Sequence, residues 1–78
     1  MLVDIITPDA KLFSGDILSI ELPGKDGSFE ILNNHAPIIS TLAAGTITVS
    51  LNNGKKESFE VSGGVIETQN NKIIVLAD

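Results

Sequence analysis

His35 is the only histidine of the chain, and it lies in the stretch Asn33–Ser40, NNHAPIIS, between two asparagines and a proline. An imidazole can act as a general base, bind a metal ion or contact another protein. As a base it would have to activate a serine hydroxyl while a carboxylate orients the ring. The serines considered are Ser14, Ser40 and Ser62. None lies in a Gly-x-Ser-x-Gly elbow, and a domain of this length has little depth for a substrate pocket. We therefore expect no catalytic residue.

Metal binding has equally little support in the sequence. A zinc site needs three or four His, Cys or carboxylate ligands, and this chain has one histidine and no cysteine. Calcium is the better candidate, because Asp26, Ser28 and Glu30 offer oxygen atoms at alternate positions. Alternation along a strand sends these atoms in one direction without enclosing a cation. Gly63-Gly64 is not followed by a lysine at phosphate-loop spacing. The sequence therefore predicts neither a metal nor a cofactor.

Two roles remain open for His35. Pro37 fixes the local backbone and Ala36 has no bulk to shield a neighbour, so the loop is expected to be rigid and exposed. Such a loop suits a contact with a partner protein. A structural role, in which the ring caps one end of the fold or bonds to a carbonyl, is equally compatible with the pattern.

Composition limits the kinds of partner. The chain has 78 residues, a formal charge of -5, five basic residues that are all lysine, and only three aromatic residues, all phenylalanine. Nucleic-acid binding needs clustered basic groups and exposed aromatic rings, so it is not expected. No basic segment followed by a long apolar stretch begins the chain, and Ile73–Ala77 is too short to span a bilayer. We predict a single soluble, cytosolic domain over residues 1–78, without disulfides.

Short β-strands are the elements that must position these residues. Gly, Pro and Asn interrupt the chain too often for long helices. Apolar residues alternate with polar ones in several segments, which is typical of half-buried strands. The inward-facing residues are predicted to be Leu18, Ile20 and Leu22, then Phe29 and Ile31, then Ile47, Val49 and Leu51, and finally Phe59 and Val61. Further strands are predicted at Leu2–Thr7, Lys11–Gly15, Ile38–Leu42 and Lys72–Ala77.

Turn signals join these strands. Asn52-Asn53-Gly54 predicts a tight hairpin, and Asn70-Asn71 predicts a turn into the last strand. Gly63-Gly64 indicates a bulge or a place where another backbone comes close. Ile73–Leu76 is apolar without alternation, which is typical of a strand covered on both faces. About nine short strands without a long helix predict an all-β fold, either a small sandwich or a flattened barrel.

Six short motifs, in this order and spacing, resemble the N-terminal β-domain of the epsilon subunit of F-type ATP synthase. They are Phe13-Ser14-Gly15, Gly24-x-x-Gly27, His35-Ala36-Pro37, Leu42-x-x-Gly45, Ser62-Gly63-Gly64 and Val75-Leu76-Ala77-Asp78. The resemblance implies a flattened sandwich of about ten strands. It also implies a non-catalytic rotor subunit in the central stalk, at the cytoplasmic face of the bacterial inner membrane. In the family, this domain links the gamma subunit to the membrane-embedded c-ring and so couples ion flow to ATP synthesis.

The resemblance also implies two contact surfaces. The turn Asp26-Gly27-Ser28 and the nearby His35 would approach the c-ring. The gamma subunit would contact Thr7, His35, Ala36, Pro37 and Ser40.

The sequence departs from the family pattern at a few positions. Many members have an acidic residue where this chain has Ser28 and a glycine where it has Glu30, so the charge pairing with the ring is expected to be shifted. In many members a helical hairpin follows the sandwich, whereas this sequence stops at Asp78, and no role of that hairpin is assigned to it.

A carrier domain is the alternative from another class. Biotinyl and lipoyl domains are also small, acidic and all-β, and they present a modified lysine on a hairpin tip. Lys55 follows Asn53-Gly54 at such a tip. Yet Lys56 and Glu57 come after it, in place of the residues that those families place around their lysine.

Overall fold

The computed structural model describes residues 1–78 and contains eight β-strands and no helix. The strands are β1 (Leu2–Ile6), β2 (Lys11–Gly24), β3 (Gly27–Leu32), β4 (Ile38–Leu42), β5 (Gly45–Leu51), β6 (Lys56–Val61), β7 (Gly64–Gln69) and β8 (Lys72–Ala77). The all-β prediction is confirmed. The count is eight because two predicted strands, Lys11–Gly15 and the one around Ile20, are continuous as β2. No segment forms a helix long and apolar enough to cross a membrane.

The long strand β2 connects two layers. Its first half pairs with β1, and its second half pairs with β5 on one side and β3 on the other. One layer therefore contains β3, β2, β5 and β6, and the other contains β4, β7, β8, β1 and the start of β2. All pairings are antiparallel except that of β1 with β8. This arrangement is the flattened sandwich expected from the sequence.

The core lies between the layers and consists of 14 buried apolar residues. Ile20, Leu22, Ile31, Ile47 and Val49 belong to it, as the alternation predicted. Leu18 does not, because the pairing of β2 with β5 shifts register between Ile17 and Ser19.

A β-bulge of this kind reverses the alternation locally. Ile17 is therefore the inward residue, and the Leu18 side chain is 54% exposed. The prediction for Leu18 is wrong because the sequence contains no glycine or proline there to signal the bulge.

Asparagine and glycine occupy the turns with left-handed backbone. Asn70 and Asn71 have φ of 55° and 60°, which is the pattern of a two-residue type I′ hairpin, so the predicted turn is confirmed. The β5–β6 hairpin is confirmed too, but it is looser than predicted. Within residues 52–55, only Gly54 has a positive φ (87°), and the Gly54 N–H donates to the Leu51 carbonyl at 3.1 Å.

The N-terminal ammonium is bound to the second strand. It donates to Asp16 Oδ1 at 2.8 Å and to the Ile17 carbonyl at 3.2 Å. The hydrogen bond from the ammonium, together with its charge, lowers the pKa of the Asp16 carboxyl. This interaction favours the ionised carboxylate in the folded chain.

The interaction predicts an acid-dependent contribution to stability. A lowered folded pKa stabilises the fold above the unfolded pKa, about 3.9, and this stabilisation disappears as the pH falls through the lowered value. We expect the melting temperature of Asp16→Asn to be lower than that of the unaltered chain near neutral pH, with the difference disappearing in strong acid. Melting curves between about pH 2 and pH 7 check this. Asp9→Asn, which removes an exposed carboxylate outside any ion pair, is the matched control and should not show the convergence.

Candidate functional site

His35 lies in the exposed loop between β3 and β4, residues 33–37. The loop begins with a turn in which the His35 N–H donates to the Leu32 carbonyl at 3.2 Å, and Asn34 has a φ of 62°. The ring Nδ1 lies 2.7 Å from the Ala36 carbonyl oxygen. A carbonyl only accepts, so Nδ1 is the protonated nitrogen in this contact. The imidazole is thus hydrogen-bonded within its own loop.

Two of the three serines named as possible nucleophiles, Ser14 and Ser40, have other partners. Ser14 Oγ donates to Asp4 Oδ1 at 2.6 Å, and Ser40 Oγ is 3.5 Å from the Thr41 carbonyl. No serine hydroxyl bonds to the imidazole of His35. The geometry therefore offers no serine–histidine pair.

The turn Asp26-Gly27-Ser28 forms the tip between β2 and β3. All three residues are exposed, and Gly27 has a φ of 126°. A shallow surface cleft of about 540 Å³ separates this turn from β4 and is lined by all three turn residues and by Ser40. The structure therefore brings the turn close to Ser40, which belongs to the other predicted surface.

His35 lies far from that turn. The loop that carries it leaves the end of β3, whereas Asp26 precedes the start of β3. Six residues of strand separate the two, a length of about 20 Å. The resemblance implied that the turn and His35 lie near each other, whereas the structure puts them at opposite ends of the same strand. Because β3 pairs only with β2, its second edge is free between them.

Thr7 lies in the turn between β1 and β2. Its N–H donates to the Ala10 carbonyl at 2.8 Å, and its hydroxyl accepts from the Ala10 N–H at 3.1 Å. Ile6, the residue before it, pairs with Leu76 of β8. Thr7 is therefore near the Leu76 end of the second layer.

The outer surface of that second layer is apolar. Four apolar side chains from three adjacent strands line a shallow groove of about 200 Å³ together with Glu67. We name these four residues the outer apolar face: Ile39, Val65, Ile74 and Leu76. Ile39 is 73% exposed, Val65 44% and Leu76 55%. Large apolar side chains gathered on one exposed face are typical of a contact surface.

One apolar run of the sequence is a signal for this face. Ile73–Leu76 reads as a strand covered on both faces, but the chain covers only one. Ile73, Val75 and Ala77 are buried in the core, whereas Leu76 points outward. The apolar run in β8 therefore indicates a second cover that this chain does not itself supply.

The opposite layer carries paired acidic side chains on its outer surface, beside the exposed Leu32. Glu30 of β3 pairs directly with Glu21 of β2, and Glu21 pairs on its other side with Thr48 of β5. Like charges in direct cross-strand register repel each other. One outer surface thus gathers apolar side chains and the other holds two adjacent carboxylates. Across the chain, no three His, Asp or Glu side chains gather as a metal site. This geometry defines a class of protein, an all-β module whose exposed surfaces are suited to contacts with other proteins.

Comparison with known proteins identifies the family. Residues 1–78 match the model of the ATP synthase, Delta/Epsilon chain, beta-sandwich domain. An ATP synthase epsilon chain from Chlorobium limicola is 40% identical over 76 residues, which is 97% of this chain and 86% of that one. One from Dichelobacter nodosus is 43% identical, and the match spans 97% of this chain and 53% of that one. The chain therefore belongs to the family of ATP synthase delta/epsilon β-sandwich domains, and the resemblance found in the sequence is confirmed.

Solved structures confirm the fold. A chain of the Euglena gracilis mitochondrial ATP synthase, from a structure of OSCP/F1/c-ring, superposes with a TM-score of 0.90 at 19% identity. The match covers 96% of this chain and 48% of that chain. A chain of the Tetrahymena thermophila enzyme, from a structure of the central stalk/cring, gives 0.81 at 18% identity, over 97% of this chain and 61% of that one. The membership also decides against the carrier-domain alternative, although Lys55 does lie in the exposed β5–β6 loop.

Proposed function

We propose that this chain is a non-catalytic rotor subunit in the central stalk of an F-type ATP synthase. It links the gamma subunit to the c-ring, so that ion flow through the ring is coupled to ATP synthesis on the catalytic head. The observation that carries the proposal is the 40% identity to an epsilon chain of which this chain covers 86%. The protein would be a peripheral part of the complex, at the cytoplasmic face of the bacterial inner membrane.

The gamma subunit is proposed to bind the outer apolar face and its polar surroundings. An interface of this kind has an apolar centre and a polar rim. The rim would contain the residues assigned to gamma from the sequence: Thr7, His35, Ala36, Pro37 and Ser40. Two observations support the placement of Pro37 and Thr7. Pro37 shares a surface groove with Ile39, and Thr7 lies beside the Leu76 end. Ser40 is the neighbour of Ile39 on β4, and its side chain leaves the opposite side of that strand.

The c-ring is proposed to contact Asp26, Gly27, Ser28 and His35. Because Asp26 and His35 lie at opposite ends of β3, a ring that touched both would extend along the free edge of that strand. The acidic outer surface of β2 and β3 adjoins this edge, with Glu30 exposed on it. A basic or polar loop of the ring would therefore meet a negative field along this side.

A titration tests the proposal. The chain is titrated with soluble, folded gamma subunit from the same organism, the heat is measured by calorimetry, and the complex is isolated by size-exclusion chromatography. We expect a one-to-one complex. The absence of binding to folded gamma would overturn the proposed function.

The ring contact predicts a change in salt dependence. Exposed charges that attract a partner lose their effect as salt rises, because the Debye length shortens to about 8 Å at physiological ionic strength. Neutralising Asp26 and Glu30 together (Asp26→Asn, Glu30→Gln) should therefore flatten the salt dependence of binding to isolated c-ring. Removing the Glu30 charge should also raise thermal stability slightly, because it relieves the repulsion from Glu21.

The matched control carries the same change of charge elsewhere, through Asp9→Asn and Glu57→Gln, both exposed and away from the β2–β3 turn. Equal flattening in the control would point to net charge as the cause and would contradict a local contact.

A further inference from the structure

The side chain of Asn71 connects two loops that are distant in sequence. Its Nδ2 donates to Asn33 Oδ1 at 2.8 Å, and its Oδ1 accepts the Asn34 N–H at 2.8 Å. One amide group thus bonds to both residues that begin the His35 loop. The two loops are 37 and 38 positions apart along the chain.

Few other interactions order the His35 loop. Residues 33–37 are all exposed, so burial contributes little to their conformation. Within the loop, the backbone makes the single turn hydrogen bond from His35 to Leu32. The Asn71 amide supplies the hydrogen bonds that join the loop to the rest of the sandwich at this point.

Asn71 is itself held in place. It is the second residue of the type I′ turn between β7 and β8, and its carbonyl accepts the Leu2 N–H at 3.2 Å. Glycine would adopt the same left-handed backbone, but it would provide neither the donor nor the acceptor. Asparagine at this position therefore combines the turn conformation with a group that reaches the other loop.

We propose that Asn71 is a positioning residue, whose side-chain amide holds loop 33–37 in the conformation that the gamma subunit binds. The inference rests on the proposed function, because the loop supplies His35, Ala36 and Pro37 to the gamma side. A loop that is ordered before binding loses less conformational freedom in the complex, and affinity rises accordingly. The amide acts through the loop and need not touch gamma.

Two glycine substitutions in the same turn separate positioning from turn stability. Asn71→Gly keeps the left-handed backbone and removes both hydrogen bonds to the other loop. Asn70→Gly makes the same change one residue earlier, and the Asn70 side chain has no hydrogen bond to that loop. Asn71→Asp is the conservative variant. Its carboxylate still accepts the Asn34 N–H, and the Asn33 amide can rotate to donate to it.

Two readouts are needed, hydrogen exchange of the Asn34 amide in the free chain and the Kd for gamma. For Asn71→Gly we expect faster exchange at Asn34 and a Kd raised about 5- to 30-fold, which corresponds to two lost hydrogen bonds. For Asn70→Gly we expect unaltered exchange at Asn34 and a Kd within about twofold of the unaltered chain. Asn71→Asp should recover most of the lost affinity.

Three results would overturn the inference. Equal behaviour of the two glycine variants would mean that Asn71 contributes only to the turn. Faster exchange without a change in Kd would mean that gamma does not depend on the ordered loop. In both cases the unaltered chain still binds gamma. Failure of the unaltered chain to bind would instead overturn the proposed function, and the positioning role with it.

Discussion

Replacing Gly64 with alanine should remove a large part of the free energy of unfolding of this domain. A Cβ on Gly64 would lie 2.4 Å from the Leu76 carbonyl oxygen and 2.9 Å from Ala77 Cα, both backbone atoms. The φ of Gly64 is 149°, a conformation that residues with a side chain rarely adopt. Steric overlap and backbone strain would therefore both destabilise the folded state of the variant.

The neighbouring strands cannot move away easily. Gly64 pairs with Leu42 on β4 and with Ala77 on β8, so a shift in either direction breaks a ladder. We expect a loss of about 3 to 5 kcal/mol in the free energy of unfolding. A domain of this size has about 4 to 12 kcal/mol in total. Urea unfolding followed by far-UV circular dichroism measures the difference.

Gly54→Ala is the matched control. Gly54 also has a positive φ, 87°, but no atom lies within 4 Å of the added Cβ. The free energy of unfolding of the control should therefore fall only by the cost of backbone strain, about 1 to 2 kcal/mol. If Gly64→Ala lost no more than Gly54→Ala, the contact between β7 and β8 would be looser than the structure indicates.

The sequence predicted the fold class because its local signals agree. The Gly63-Gly64 pair indicated a close backbone approach, and β8 supplies it. The alternation of Ile47 and Val49 predicted an inward face that the core confirms. The bulge at Leu18 could not be predicted, because it depends on how β2 registers against β5, and that register is a property of two strands.

The candidate site was less accessible to sequence reasoning. The His35 loop and the Asp26 turn were each recognised from their turn residues, but their separation along β3 follows from the strand that joins them. The outer apolar face was missed because Ile39, Val65 and Leu76 are spread over three segments of the sequence. Only the pairing of β4, β7 and β8 brings them together. Asn71 was assigned to a turn, and its second role depends on a contact with a distant loop.

The largest effect on assembly is expected from the outer apolar face. Serine at both Ile39 and Leu76 should weaken gamma binding about 30- to 1,000-fold, or about 2 to 4 kcal/mol, if these side chains form the apolar centre of the interface. Both are more than half exposed in the free chain, at 73% and 55%, so the core loses nothing. We therefore expect the free energy of unfolding to change by no more than about 1 kcal/mol. Calorimetry against gamma and urea unfolding measure the two quantities separately.

Leu18 provides the control for this experiment. It is a leucine on a strand with almost the same exposure as Leu76, 54% against 55%, but it lies at the bulge of β2, outside the outer apolar face. Leu18→Ser removes the same apolar atoms as Leu76→Ser alone and should leave gamma binding unchanged, whereas Leu76→Ser should weaken it. Equal weakening by Leu18→Ser and by Leu76→Ser alone would show that general surface hydrophobicity drives the association. Full affinity of the Ile39 and Leu76 double variant would move the gamma contact off this face. Thr7, His35 and Pro37 would then have to form the centre of the interface, and the uncovered side of β8 would need another partner.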